Sequence, residues 1–388
     1  MKKLMGRIMW MVLVCIMAPG PASASRDSLA AGTNDSVVSL LNTAMSRKND
    51  GDYVKAIRLF TKVLEMDSLS VQAYLNRAWC ENQLLDYKSA LDDYTRALLL
   101  SKSWEESLEA YYNRGLTLAL LENFKAAMSD FDRAIKLNPE YADAYYNRSI
   151  IKGQAGDFEG ELDDINQVIT LRPNDAAAYN SRGIVRSMMG DYSGALQDFD
   201  RSMKLDAKNA DVYFNRGVVF YDLKNYKKAL DDFTYALQLK PDAETYNRRG
   251  NVKRRMDDNG GALADYNQAI SMRPAYSVAY VNRGYVKFDM GDYKSAIEDF
   301  SKAIELDPDY AVAYYNRGLA KCKLADHKGA ILDFSYAIEY KPDYDDAYYK
   351  RGLCKYVIQD ESGGCDDLNY AARLGNNTAY EDLATHCR

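Results

Sequence analysis

AYYNRG, residues 313 to 318, sets two bulky aromatics, an amide, a guanidinium and a glycine side by side in a stretch that otherwise reads as helix. The string returns as AYYNRG at 110–115, AYYNRS at 144–149 and AYYKRG at 347–352, with looser copies VYFNRG at 212–217 and AYVNRG at 279–284. A string repeated along a chain belongs first to its architecture. The small residues that end it, Gly183, Gly217, Gly250, Gly284, Gly318 and Gly352, are 34, 33, 34, 34 and 34 residues apart. Ser149, Gly115 and Ala78 continue the register upstream, with one insertion near Ser101–Glu106.

Each period has two halves. In 311–342 the first half ends at the polar turn LADH, as other periods end at MGDY (290–293) or LKNY (223–226). The second half carries Ala330, Ile331, Phe334, Ala337 and Ile338 at helical spacing. A proline then closes the unit, at Pro139, Pro173, Pro241, Pro274, Pro308 and Pro342, because it cannot continue a helix. Each period is therefore a helix hairpin. Small residues let its two helices approach, and an aromatic from one fills the gap left by a glycine of the other.

Composition fits a folded chain. The 388 residues are 47% hydrophobic and 27% charged, enough to bury a large core. The formal charge is -6, and removing Lys2, Lys3 and Arg7 takes it to -9, which argues against a nucleic-acid partner. Those three basic residues precede an apolar run, IMWMVLVCIMA (8–18), and a small-residue end with Ala22-Ser23-Ala24, so residues 1–24 read as a cleaved secretory signal. The run is too short to span a membrane, which takes about 20 residues. Val14 sits where a lipoprotein signal before Cys15 wants a small residue. The expected location is secreted, periplasmic or outer-membrane-associated, with 25–36 as a linker.

The hairpins resemble tetratricopeptide repeats. Tyr314, Gly318, Ala330, Phe334, Ala337 and Pro342 occupy that family's aromatic, small, small, aromatic, small and proline positions, as do Tyr280, Gly284, Ala296, Phe300, Ala303 and Pro308 one unit earlier. About ten units fit between Val37 and Asn376. The first (Leu40, Ala44, Ala56, Phe60), the fourth (Glu161, Ile165) and the tenth (Gly364, Leu368, Asn376) depart most from the pattern. The resemblance implies an all-α, right-handed superhelical solenoid over 37–376, with 377–388 as a C-terminal capping helix.

The polar part of the string separates into two sets. An Arg precedes the small residue at 77, 114, 148, 182, 216, 249, 283, 317 and 351, and an Asp precedes the second-helix aromatic or its stand-in at 93, 130, 164, 198, 232, 265, 299, 333 and 367. The first unit lacks both, having Thr43 and Leu59. Pairing within each unit leaves no partner over, so an ion pair inside each hairpin is expected. If partly exposed, it would contribute roughly 0.2–1 kcal/mol and serve register more than stability.

The second set is an amide two residues before the small position: Asn42, Asn76, Asn113, Asn147, Asn215, Asn282 and Asn316. Asn is a poor interior helix former, so its recurrence asks for a partner. In the resembled family this position faces a concave groove, and a similar ladder grips an extended peptide through amides that both donate and accept. The alternative is a bond to a neighbouring helix. Groove positions implied beside the ladder are Tyr112, Tyr146, Phe214, Tyr315 and Tyr349, with Trp79, Tyr221, Tyr285 and Phe288. An aromatic stripe is more commonly core, and most of the 32 tyrosines are explained that way.

One unit puts arginine into the ladder. In YNRRGNVKRR (246–255), Arg248 replaces the Asn and Arg255 follows nearly two turns later on the same stripe, with Arg254 flanking and Lys253 turned away. The patch suits a carboxylate-bearing, acidic segment of a partner, unless Asp257 and Asp258 neutralise it.

Enzyme chemistry finds little support: the two histidines, His327 and His386, offer neither a zinc set by His spacing nor a catalytic triad, and no cofactor fingerprint is present. Five cysteines follow the leader, an odd number. Cys365 and Cys387 lie 11 residues on either side of 376, level in a hairpin centred there, and a disulfide between them is expected; similar terminal pairs occur in secreted repeat proteins of this type. The expected function is a non-enzymatic scaffold that holds a polypeptide in its groove, with no metal or cofactor. A structural subunit using its convex face or ends, and a carbohydrate or cell-wall binder, stand as alternatives.

Overall fold

The computed structural model describes residues 34–387, and the leader read at 1–24 lies outside them. Every element among the described residues is helical, and they fall into two compact units. The unit ending at Ala207 holds α1 (Asn34–Asn49), α2 (Tyr53–Met66), α3 (Val71–Gln83), α4 (Tyr87–Leu100), α5 (Trp104–Leu120), α6 (Phe124–Leu137), α7 (Ala142–Gln154), α8 (Phe158–Leu171), α9 (Ala176–Met188) and α10 (Tyr192–Leu205). The unit from Lys208 holds α11 (Ala210–Asp222), α12 (Tyr226–Leu239), α13 (Ala243–Arg255), α14 (Asn259–Met272), α15 (Ser277–Asp289), α16 (Tyr293–Leu306), α17 (Ala311–Lys323), α18 (His327–Tyr340), α19 (Asp345–Val357), α20 (Glu361–Arg373) and α21 (Asn377–His386). Each unit is thus five consecutive hairpins, and α21 follows the last. Helix α1 begins at Asn34, inside the stretch read as linker. Among the described residues no helix is long and apolar enough to cross a membrane.

Local chemistry makes the hairpins. In each turn one residue takes a positive φ, from Gly51 (78°) in the first to Gln359 (69°) in the tenth, and the next is an Asp or Asn that caps the second helix. Asp326, for example, accepts from the Gly329 N–H, satisfying one of the orphan donors of the first turn of α18. The insertion near Ser101 is absorbed by lengthening: α5 has 17 residues where the other first helices after α1 have 13, and Ser103 caps it.

Within a hairpin the fit is glycine against ring. Tyr94, Phe131, Phe199, Phe233, Tyr266, Phe300 and Phe334 are buried in the second helices. A Cβ built on Gly115, Gly183, Gly217, Gly250, Gly284 or Gly318 would come within 2.7–2.9 Å of the ring 16 residues on. The fourth hairpin solves the same problem differently, with Ser149 and Ile165 at those two places and Gly153 leaving room for Glu161. Within each unit a second helix also packs on the first helix of the following hairpin, and successive first helices touch.

Gly318→Ser is therefore expected to cost about 1–3 kcal/mol by overpacking against Phe334, despite the better helix propensity of serine. Adding Phe334→Ile, which recreates the Ser149 and Ile165 combination, is expected to recover much of the loss in urea-denaturation midpoints.

Candidate functional site

All nine Arg–Asp pairs form inside their hairpins. Each guanidinium is bidentate, Nε to Oδ2 and Nη2 to Oδ1, at 2.6–3.0 Å. The carboxylates are buried, more so than a surface pair would be. Two partners were not evident from the sequence. In eight pairs Nη1 donates to the preceding hairpin's second helix, at Thr61, Thr95, Asp132, Asn166, Thr234, Asn267, Ser301 or Ser335. A second cation four residues after the Arg reaches the same Asp from Lys152, Arg186, Lys253, Lys287, Lys321 and Lys355. The Tyr or aromatic three residues before each Arg, such as Tyr314 before Arg317, lies 5.3–6.0 Å from the guanidinium.

The second hairpin breaks this rule. Glu81 stands where the second cation would be, buried beside Asp93, with Oε2 lacking a hydrogen bond and its other oxygen 3.9 Å from Arg77. Burial, then the neighbouring Asp93 charge, pushes its carboxyl up to about 8.

The asparagine ladder is largely turned inward. Asn76, Asn147 and Asn316 are buried, and each donates to the carbonyl one turn back. Asn76 also accepts from Lys48 Nζ at 2.7 Å, Asn147 donates to Tyr112 Oη at 3.1 Å, and Asn282 donates to Asn247 Oδ1 at 2.8 Å. Asn113 and Asn215 are half-buried and only Asn42 is exposed. Two of the aromatics read as groove residues are core instead: Tyr112 is 6% exposed and Phe214 is 4% exposed, each packed on its hairpin's Phe131 or Phe233. A ring at this position fills the space between successive hairpins and has little surface left for a ligand. Tyr315 is half-buried between Phe334 and Tyr344, and half-buried Tyr146 shares a hydrogen bond with Ser181.

The arginine patch does assemble. Arg254 lies over the Tyr285 ring at 4.7 Å, Arg255 Nε donates to Tyr221 Oη at 3.5 Å, and Arg248 lines a shallow indentation with Val218, Tyr221, Phe233 and Asn251. Three first helices, α11, α13 and α15, thus supply one surface of guanidinium and tyrosine. Lys253 is turned away onto Asp265. Asp257 and Asp258, the alternative partners of the patch, are occupied by the turn, as its positive-φ residue and its cap. The nearby carboxylates are Glu244, 3.9 Å from Arg248, with Asp222 beside Arg248 and Asp289 beside Arg254. Burial raises both of those aspartates and the arginines oppose it.

Cys365 and Cys387 form a disulfide that ties α20 to α21. A further cluster was not evident from residue spacing: Cys322, His327 and Cys354 bring their Sγ and imidazole atoms within 4.8 Å of one another. They come from three helices with no common spacing.

Family models described as TPR repeat match residues 188–224 and 284–325, and models described as tetratricopeptide repeat match 41–104, 108–141, 210–242 and 243–276. Together they cover more than half of the chain. No curated protein matches its sequence. Among solved structures, a tetratricopeptide repeat protein from Parabacteroides merdae is similar at 19% identity and a TM-score of 0.51, over 65% of this chain and 99% of that one. Yeast Tom70 is similar at 16% identity and 0.48, over 91% and 95%. YrrB, described as a TPR protein with an unusual peptide-binding site, is similar at 24% identity and 0.40, over 47% and 95%.

The Glu81 environment generates a pH effect of definite sign. Its folded value of about 8 exceeds the ordinary 4.5, so folding favours the protonated form and stability falls as pH rises between those values. Glu81→Lys, which restores the cation found in six other hairpins, is expected to stabilise the chain at pH 8 by about 1–3 kcal/mol. It should also flatten the decline in denaturation midpoint between pH 5 and pH 8.

Proposed function

The chain belongs to the tetratricopeptide repeat family, and from that premise we propose that it is a non-enzymatic scaffold of the cell envelope that holds a polypeptide partner on its first helices. Repeats of this family serve protein interaction, and the leader read at 1–24 supports the envelope location.

The observation that carries the reading is the guanidinium–tyrosine surface of α11, α13 and α15. Arg254 and Arg255 are held by Tyr285 and Tyr221, so little side-chain freedom remains to be lost on binding. Arg248 takes the ladder position that Asn holds in most hairpins, a change toward positive charge that Lys350 repeats in the tenth. A guanidinium set of this kind recognises planar carboxylates, and tyrosines offer a rigid apolar platform for the partner's backbone. The partner is accordingly a polypeptide with an acidic segment.

Replacing Arg248, Arg254 and Arg255 together with Gln is expected to weaken capture of the main envelope partner by at least about tenfold, in line with the loss of charge-assisted bonds. Its salt dependence should flatten, while helical circular dichroism and melting temperature stay close to those of the parent. Unchanged affinity in a well-folded triple variant would contradict the assignment.

A further inference from the structure

Cys322 lies on α17, Cys354 on α19, and His327 opens α18. The two sulfurs are 2.7 Å apart. That is well inside the roughly 3.5–4.0 Å at which even non-bonded carbon atoms settle. It is also closer than two thiolates sharing one zinc ion, which at about 2.3 Å from the metal stand roughly 3.7 Å apart. The geometry is that of a pair poised to bond to each other. The His327 imidazole brings a ring nitrogen into the same cluster, and its Nδ1 is buried without a hydrogen bond. Ala330, Phe334, Tyr315, Leu319 and Ile331 wall the site.

Three further observations agree. First, Cys365 and Cys387 are already joined, and Cys80 is buried with its thiol pushed up to about 12 by burial, so it is inert; among the described residues Cys322 and Cys354 are the two thiols left to pair. Second, the juxtaposition belongs to the repeat. Cys354 stands two residues after the small Gly352 and Cys322 four after Gly318; at the corresponding places in the first two hairpins Lys48 is near Cys80. Third, the pair is chemically asymmetric. The hydrogen bond from Cys322 pulls the Cys354 thiol below its ordinary value against the effect of burial, with His327 and Lys350 beside it, while Cys322 is pushed up.

We propose that Cys322, Cys354 and His327 form a thiol–disulfide exchange site, whose oxidised state is a disulfide joining the ninth and tenth hairpins. Cys322 is the more exposed sulfur and Cys354 the buried one. An incoming small-molecule or protein disulfide is attacked by Cys322 Sγ, whose proton passes to the His327 imidazole. A mixed disulfide forms and the first thiolate leaves. Cys354 Sγ, its proton given up to the first departing thiolate, then attacks Cys322 Sγ and expels the second thiolate, which takes the proton held by His327. The two cysteines lose two electrons and two protons, and the incoming disulfide becomes two thiols. Oxidised, the site ties α17 to α19, next to the Cys365–Cys387 link between α20 and α21.

The test uses the full chain, reduced and then incubated with oxidised glutathione, quenched in acid, alkylated and mapped without reduction. The expected product links the Cys322 and Cys354 peptides and leaves Cys80 alkylated. Cys354→Ser should stop at a glutathione adduct on Cys322, and His327→Ala should slow closure by about a hundredfold, the low end of what a positioned base contributes. Recovery of both wild-type cysteines as alkylated thiols would overturn the proposal. So would Cys354→Ser without an adduct at Cys322, or a reduced chain that takes up one equivalent of zinc through these residues and no longer closes with glutathione.

Discussion

The bidentate pair between an arginine before the small residue and an aspartate 16 positions later is the interaction on which the rest of this chain depends. It is buried on the carboxylate side, so neither group tolerates the loss of the other. The guanidinium has five donors, and its remaining nitrogen reaches back to the preceding hairpin. One side chain therefore fixes two relations at once, helix against helix within a hairpin and hairpin against hairpin within a unit. Buried ion pairs add little net stability compared with apolar replacements. Glycine–aromatic packing supplies the cohesion, and the charge pair selects the register in which that packing occurs.

Seen this way, the six letters of AYYNRG divide by task. In 313–318 the first Tyr lies over the guanidinium, the second packs between hairpins, the Asn closes on the carbonyl one turn back, the Arg pairs with Asp333, and the Gly admits Phe334. The string is a packing device. Function has to come from positions that leave the pattern, because those that keep it are occupied. Arg248, Arg254 and Arg255 are such positions, and so are Cys322 and Cys354.

What was legible in the sequence follows the period. Hairpin number, turn position, the intra-hairpin Arg–Asp pairing and the Cys365–Cys387 link all recur or align at fixed separations, and those separations are visible in one dimension. The contacts that were not legible join residues of different hairpins. The reach of Arg317 Nη1 to Ser301 depends on how one hairpin rests on the next, and periodicity does not state that. The inward turn of Asn147 and the burial of Tyr112 have the same cause. The Cys322–His327–Cys354 cluster was hidden because its separations, five and 27 residues, match no helical or metal-site spacing. Glu81 was readable in principle as the acid at a position held elsewhere by a cation, but only once the second cation's role was known.

The most direct test of this account is a double-mutant cycle at Arg114 and Asp130, where Leu118 takes the place of the second cation and the pair stands without that extra partner. Urea denaturation of Asp130→Leu and Arg114→Met should show each single variant destabilised by about 3–5 kcal/mol, since each strands a buried charge. The double variant should recover most of that loss. If the two losses simply add, the pair is not coupled, and the claim that it sets the register of the hairpins is contradicted.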